Sequence, residues 1–181
     1  DNAGAYLLGD FQKYGVETKN AARVKDTASF TSYIVLSESA QTRTCVFDRG
    51  TVPDEPANVR FGAIEGAAAL HLDGNYLQSA IAAAKYAKAN GVKVSLDAGG
   101  LYPGIETLLP YADILIPSAE FAKGITGKAE IPEAMAALAE KYRPEILAVT
   151  DGSNGGYYWN GEKAVHYASV KVKAIDSNGA G

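Results

Sequence analysis

The chain is poor in the residues that usually announce chemistry. Its 181 residues include one cysteine, one methionine, one tryptophan and two histidines. A lone Cys45 cannot close an internal disulfide, so the composition suits a reducing compartment. His71 sits in an apolar run and His166 in an alternating strand. With no Cys/His cluster around either, a zinc site or a Ser-His-Asp triad has nothing to build on, and both histidines read as structural. Basic runs are missing too. With a formal net charge of -4, this argues against a nucleic-acid-binding surface. No stretch approaches the roughly 18 apolar residues of a membrane span, and the start lacks the basic and apolar regions of a signal peptide. The expected location is the cytoplasm, with no membrane and no nucleic acid as partner. Gly127-Lys128 is followed by Ala129 without an upstream glycine, so there is no Walker A loop, and no G-x-G-x-x-G opens a helix after a strand.

What is present is an ordinary globular balance, 47% hydrophobic and 21% charged, with length for one sizeable core. Leu7, Leu8, Phe11 and Tyr14 fall at helical spacing after a potential Asn2 cap, and Gly15 suits the end of that helix. Residues 30–36 and 43–47 are β-branched, aromatic or alternating around a polar 37–42 turn, which predicts a hairpin. Two strands alone are marginal in water, so this hairpin must lean on a core, a sheet or a partner. After the proline-bearing connector at 53–58, strand and helix patterns alternate. Strands are expected at 68–72, 92–96, 113–116 and 146–150. Helices are expected from Leu77 to a stop at Gly91, briefly at 105–109, and from Pro132 at the first helical position through Tyr142. Repeated βα units predict a mostly parallel sheet covered on both faces. Asn160-Gly161 between two strand-like runs signals an edge hairpin with a two-residue turn. The aromatics Tyr157, Tyr158 and Trp159 there read as sheet-edge packing rather than a base-stacking platform.

The last ten residues draw the chemical reading. An alternating strand runs through Ile175 into Asp176, two small polar residues and Gly179-Ala180-Gly181. Such a turn lets backbone N–H groups crowd around an anion and can cradle a phosphate, although a Gly-Ala-Gly is also simply a tight turn. The stretch 176–181, D-S-N-G-A-G, resembles the D-T-x-G-A-G-D signature of the ribokinase-like (PfkB-type) carbohydrate kinase family. Three more stretches are similar to that family in the same order: residues 1–4 leading to 14–18, residues 112–120, and residues 149–156. Together they cover nearly the whole chain.

That resemblance implies an α/β fold, a three-layer ribokinase-like domain with a mostly parallel central sheet and a small β lid. Residues 1–181 would form one domain, incomplete at both ends, with the lid hairpin at about 27–52. It implies ATP-dependent phosphorylation of a hydroxyl group on a sugar or sugar-like molecule, with ATP and Mg²⁺ as cofactors. Adenosine kinases share the signature, so a nucleoside stays open as substrate, and a lid sheet of this kind can pair two copies into a homodimer. The alternative is a kinase-like protein that keeps the fold and senses a sugar or nucleotide without turnover.

Phosphoryl transfer needs charge stabilisation, a metal and a base. The resemblance assigns the first to the amides of Gly179, Ala180 and Gly181 and the second to Asp176, which is equally a helix-approach residue. The base is expected immediately after Gly181, so the chain ending there is expected to be inactive. Thr150, Gly152 and Gly155 match the family's nucleotide-lining T-x-G-x-x-G turn, or are simply a β-turn. Ser118 opens the counterpart of the family's N-x-x-E motif, whose final carboxylate is here Phe121. Glu120 is a substitute for it, and the motif is also degenerate in the ketohexokinase-like branch. Thr31 and Arg43 on the hairpin and Asp97 at a strand's C-terminal end are the substrate candidates, because ligands of open α/β sheets bind at strand C-termini. Arg43 is also readily a solvated edge charge.

Overall fold

The computed structural model of the protein describes residues 2–37 and 42–172. Helix α1 (Asn2–Lys13) ends as its sequence predicts: Gly15 takes φ +75°, its amide bonds Gln12 O, and the Val16 amide reaches back to Phe11 O. These are the two bonds of a Schellman cap. Strands β1 (Thr31–Ser37) and β2 (Thr42–Asp48) form a two-stranded antiparallel sheet of their own, from Thr31 opposite Asp48 to Ser37 opposite Thr42. The expected separate hairpin is therefore found, one residue longer at most ends than the pattern suggested.

Among the described residues the main sheet has six strands, β3 (Ala69–Leu72), β4 (Lys93–Ala98), β5 (Ile114–Pro117), β6 (Ile146–Thr150), β7 (Gly156–Trp159) and β8 (Ala164–Tyr167), in that spatial order. The first four run parallel; β7 and β8 add antiparallel at the β6 edge. The fold class is the α/β one expected, with a mostly parallel sheet and a small separate one. Chain order and spatial order coincide, so each crossover steps the same way, and right-handed crossovers that step the same way land on one face. Helix α2 (Leu77–Ala89) follows β3, while α3 (Ala119–Thr126) and α4 (Ile131–Tyr142) follow β5. Their Ala84, Ala87, Phe121, Met135 and Leu138 are buried with Val94, Leu96, Leu115, Leu147 and Val149 of the strands. The alternate strand positions, Ser95, Asp97, Ile114, Ile116 and Ile146, point the other way and are half-buried or exposed. Both-face cover was expected from the sequence; the described crossover helices occupy one face.

Three local details depart from the sequence expectations. The 105–109 helix is two successive 3-10 turns, Ile105–Thr107 and Leu109–Tyr111. Pro132 is the second rather than the first residue of α4. The Asn-Gly hairpin is not a two-residue turn: Trp159 pairs with Ala164, leaving residues 160–163 as the loop. The Asn160 side-chain oxygen accepts from the amides of Glu162 (3.0 Å) and Lys163 (2.9 Å), which organises four residues where the dipeptide alone suggested two. Among the described residues no helix is long and apolar enough to cross a membrane.

Helix α2 is capped from a distance. Its N-cap position is Tyr76, in the left-handed region at φ +49°, and its side chain makes no capping hydrogen bond. Asp54, on the segment returning from the hairpin, substitutes: its carboxylate accepts from Gln78 N at 2.8 Å and Ser79 N at 2.9 Å. Two orphan amides and the positive end of the helix are thereby satisfied by one acidic residue, which ties the hairpin's downstream leg to the sheet domain.

Candidate functional site

The C-terminal ends of β3 to β6 share one edge of the sheet. The sequence motifs at 118 and 150 meet there: Ser118 and Thr150 form a parallel bridge just beyond the ends of β5 and β6, and Ser118 N donates to Ala98 O at 3.2 Å. The Ser118 hydroxyl is engaged locally, accepting from Phe121 N at 3.1 Å as the N-cap of α3. Its cap role explains a small polar residue at this spot without any ligand. Thr150 and Glu120 are exposed beside it.

Beyond Thr150 the chain makes a tight turn. Asp151 N donates to Gly155 O at 2.8 Å, and Gly152 and Gly155 take φ of +52° and +91°. The two glycines do different work. A Cβ on Gly155 would lie 2.0 Å from Tyr167 O, so this glycine is required by the close approach of the chain after β8. A Cβ on Gly152 would meet nothing within 4 Å, leaving its backbone open at the strand end. The turn is pinned from the β8 side, where His166 Nε2 lies 2.9 Å from Asn154 O and Ser169 Oγ donates to Ser153 O at 2.6 Å. His166 also meets Tyr157 edge to face, with centroids 5.0 Å apart, in keeping with packing roles for both.

At the other end of the same edge, after β3, lies a cavity of about 450 Å³. Asp73, Gly74 and Asn75 form its floor, Tyr102 and Pro103 one wall, and Phe30, Arg49, Gly50 and Asp54 from the root of the hairpin the other. The Asp73 carboxylate accepts from Asn75 N and from Asn75 Nδ2, both at 2.9 Å. The Arg49 guanidinium carbon lies over the Tyr102 ring, 5.2 Å from its centroid. The root itself is tight: Thr51 N donates to Ala28 O and Ala28 N to Thr51 Oγ1, each at 2.9 Å, and a Cβ on Gly50 would meet Ala28 O at 2.2 Å.

Not every sequence candidate falls in these places. Asp97 is exposed near the end of β4, between cavity and turn, and its carboxylate makes no hydrogen bond among the described residues. Thr31 adjoins the cavity residue Phe30, but its hydroxyl is spent on Ser29 O at 3.3 Å. Arg43 pairs with Leu36 toward the far tip of the hairpin and does not line the cavity. Asp176, Gly179, Ala180 and Gly181 lie outside the described residues. Among the described residues no group of three or more His, Cys, Asp or Glu side chains could hold a metal. The sequence reading missed Asp73 and Arg49. Asp73 carries the same signal that singled out Asp97, an acidic residue closing an apolar strand, whereas Arg49 has no sequence signal because its partner Tyr102 is brought to it only by the fold.

A family model described as pfkB family carbohydrate kinase matches residues 1–181. The ribokinase of Bacillus subtilis (strain 168) is 26% identical over 187 residues, covering 100% of this chain and 61% of the relative. The ribokinase of Staphylococcus aureus (strain COL) is 22% identical, covering 100% of this chain and 62% of its own length. The chain therefore spans about three fifths of the curated relatives it matches. Among solved structures, the ribokinase of Thermotoga maritima superposes with a TM-score of 0.78 at 19% identity over 98% of this chain and 59% of its own. An adenosine kinase from Sinorhizobium meliloti gives 0.79 at 18% identity, over 97% and 57%. At such identities the superpositions speak for the fold.

Proposed function

The chain belongs to the pfkB family of carbohydrate kinases, and on that premise we propose that the protein transfers the γ-phosphoryl group of ATP to a hydroxyl of a sugar or sugar-like molecule, with Mg²⁺ as cofactor. The observation that carries the reading is the shared edge. The Ser118–Thr150 bridge and the open Gly152 turn stand at the C-terminal ends of β5 and β6, and the Asp73 cavity stands at the end of β3. These are the positions where open α/β sheets bind ligands. At about 4.8 Å per strand, cavity and turn are three spacings or roughly 14 Å apart. The turn would hold the nucleotide: Gly152 leaves room for close approach, and Thr150 and Ser118 supply small polar neighbours. Asp73 would accept from a sugar hydroxyl, with Asp97 between the two ligands, and the β1–β2 hairpin would act as a lid whose root already walls the cavity. Asp176 is assigned to the metal, and the amides of Gly179, Ala180 and Gly181 to the transferring phosphoryl group, where preorganised donors stabilise developing charge. The cytoplasm is the proposed location.

The test follows ADP release by the full-length protein with ketoses, aldoses and nucleosides, with and without Mg²⁺. Release that depends on one substrate class and on Mg²⁺ is expected, and Gly152→Val should weaken ATP binding. Tight sugar binding without ADP would instead assign the protein to sensing. Full activity with unchanged ATP affinity in Gly152→Val would remove the nucleotide from this turn.

A further inference from the structure

The cavity wall formed by Tyr102 is held from outside the cavity. Residues 99–104 run from the end of β4 to the first 3-10 turn, and both ends of this loop are anchored: Ala98 O accepts from Ser118 N, and Ile105 is buried in the core. Between the anchors two neighbouring side chains do different things. Tyr102 lines the cavity; Leu101 does not, and lies instead on the backbone of α3 at Gly124, where a Cβ would come within 2.3 Å of Leu101 Cδ1. Gly124 stands inside that helix, a position where glycine is destabilising relative to alanine. The absent methyl is what gives Leu101 its seat. The loop is tight enough to pass a shift of Leu101 on to the ring beside it: Tyr102 N donates to Gly100 O at 3.0 Å, and the ring folds back so closely that a Cβ on Gly100 would lie 2.6 Å from its Cζ. Helix α3 begins just after Ser118, which bridges to Thr150 at the turn proposed for the nucleotide. One short helix thus starts at the nucleotide end and, through Gly124, supports the wall of the sugar cavity.

We propose that Leu101, seated on Gly124, is a positioning residue: it fixes the Tyr102 wall relative to α3, and so sets where the acceptor hydroxyl stands against the phosphoryl donor. The inference rests on the carbohydrate-kinase reading for what occupies the two ends of the sheet edge. Misplacing reacting groups by about 1 Å costs on the order of 10²-fold in rate, so a loop pushed aside by a single methyl group is enough to slow the reaction.

The test compares the full-length wild type with Gly124→Ala, Leu101→Ala and the double variant. It reads hydrogen exchange at the Tyr102 and Ile105 amides, and steady-state ADP release with D-ribose, D-fructose and adenosine at saturating ATP. Gly124→Ala should melt no lower than wild type, because the helix gains a better former. It should nevertheless exchange those amides at least ~10-fold faster and lose at least ~10-fold in kcat/KM for the substrate that is turned over, with the KM for ATP unchanged. Leu101→Ala should bring the same losses, and adding Gly124→Ala to it should deepen neither, since the new methyl then meets no leucine. A merely structural contact would lower the melting temperature and leave kcat/KM as in wild type, and that result overturns the inference, as do additive losses in the double variant. The two readouts separate the two readings. Faster exchange in Gly124→Ala without ADP from any substrate sinks the kinase reading alone, and ADP release with wild-type exchange and kcat/KM in Gly124→Ala sinks the Leu101 assignment alone.

Discussion

His166 Nε2 lies 2.9 Å from the carbonyl oxygen of Asn154, so a residue of the edge strand holds the turn proposed to receive the nucleotide. Because the partner is a carbonyl, Nε2 carries the proton and donates. His166→Ala should cost about 1 kcal/mol in unfolding free energy. It should also loosen residues 152–154 and weaken ATP binding while sugar binding is unaffected. Thermal melts and paired titrations with ATP and sugar check this; an ATP affinity identical to wild type would show that the turn does not depend on its edge-strand anchor.

The two positive-φ glycines of that turn should respond unequally. Gly152→Ala meets open space and pays only for its left-handed backbone, about 1 kcal/mol. Gly155→Ala drives a methyl into Tyr167 O and should cost on the order of 3 kcal/mol or more, since backbone on both sides must shift. Denaturant titration of the two variants decides the matter, and equal costs would contradict the packing described for Gly155.

Asp54→Ala removes both acceptors at the start of α2. Loss of an N-cap costs about 1 to 2 kcal/mol. The distinctive outcome is local: the Gln78 and Ser79 amides should exchange with solvent much faster, and the hairpin root should lose protection with them. Asp54→Asn, which keeps one carbonyl oxygen, should fall in between. Unchanged exchange at Ser79 would mean that α2 is capped by something else.

Asp113 is buried between β4 and α2, accepting from Lys88 Nζ at 2.5 Å and Val94 N at 2.9 Å. Burial pushes its pKa up, but the Lys88 and Val94 hydrogen bonds and the charges of Lys88 and Lys93 outweigh that, and the carboxyl is held below its usual 3.8. A carboxylate depressed on folding contributes stability above its unfolded pKa and loses it as pH falls through the folded value. Stability should therefore decline below about pH 4. Lys88→Met should move this acid transition upward, because the buried carboxylate loses its main counter-ion. Acid unfolding followed by circular dichroism in both proteins checks it, and a midpoint shifted downward would reverse the assignment.

Much of this architecture is legible without coordinates. Strand β6 is a short continuous apolar run, helices α2 and α4 carry 3.6-residue periods, and Gly15 and Gly91 stop their helices as glycine should. Helix α3 is not so marked, being eight residues with Gly124 inside it. The site divides in the same way. Thr150, Gly152 and Gly155 are marked as a turn by their pattern, but only tertiary contact tells that a side chain at Gly155 would strike the chain after β8 while Gly152 faces open space. Asp54, Arg49 and Tyr102 act on partners far along the chain, and nothing local marks them.

The coincidence of chain order and strand order in β3 to β8 bears on how the domain is assembled. Among the described strands, each from β4 to β8 joins an edge that the preceding strand has already laid down. Sequence separation between paired strands stays short, and loop-closure entropy is spent in small steps. Synthesis at ~5–20 residues per second is slow beside the microsecond closing of such units. The stretch from β3 to β8 can thus be added strand by strand as the chain leaves the ribosome, each strand leaving a free edge for the next.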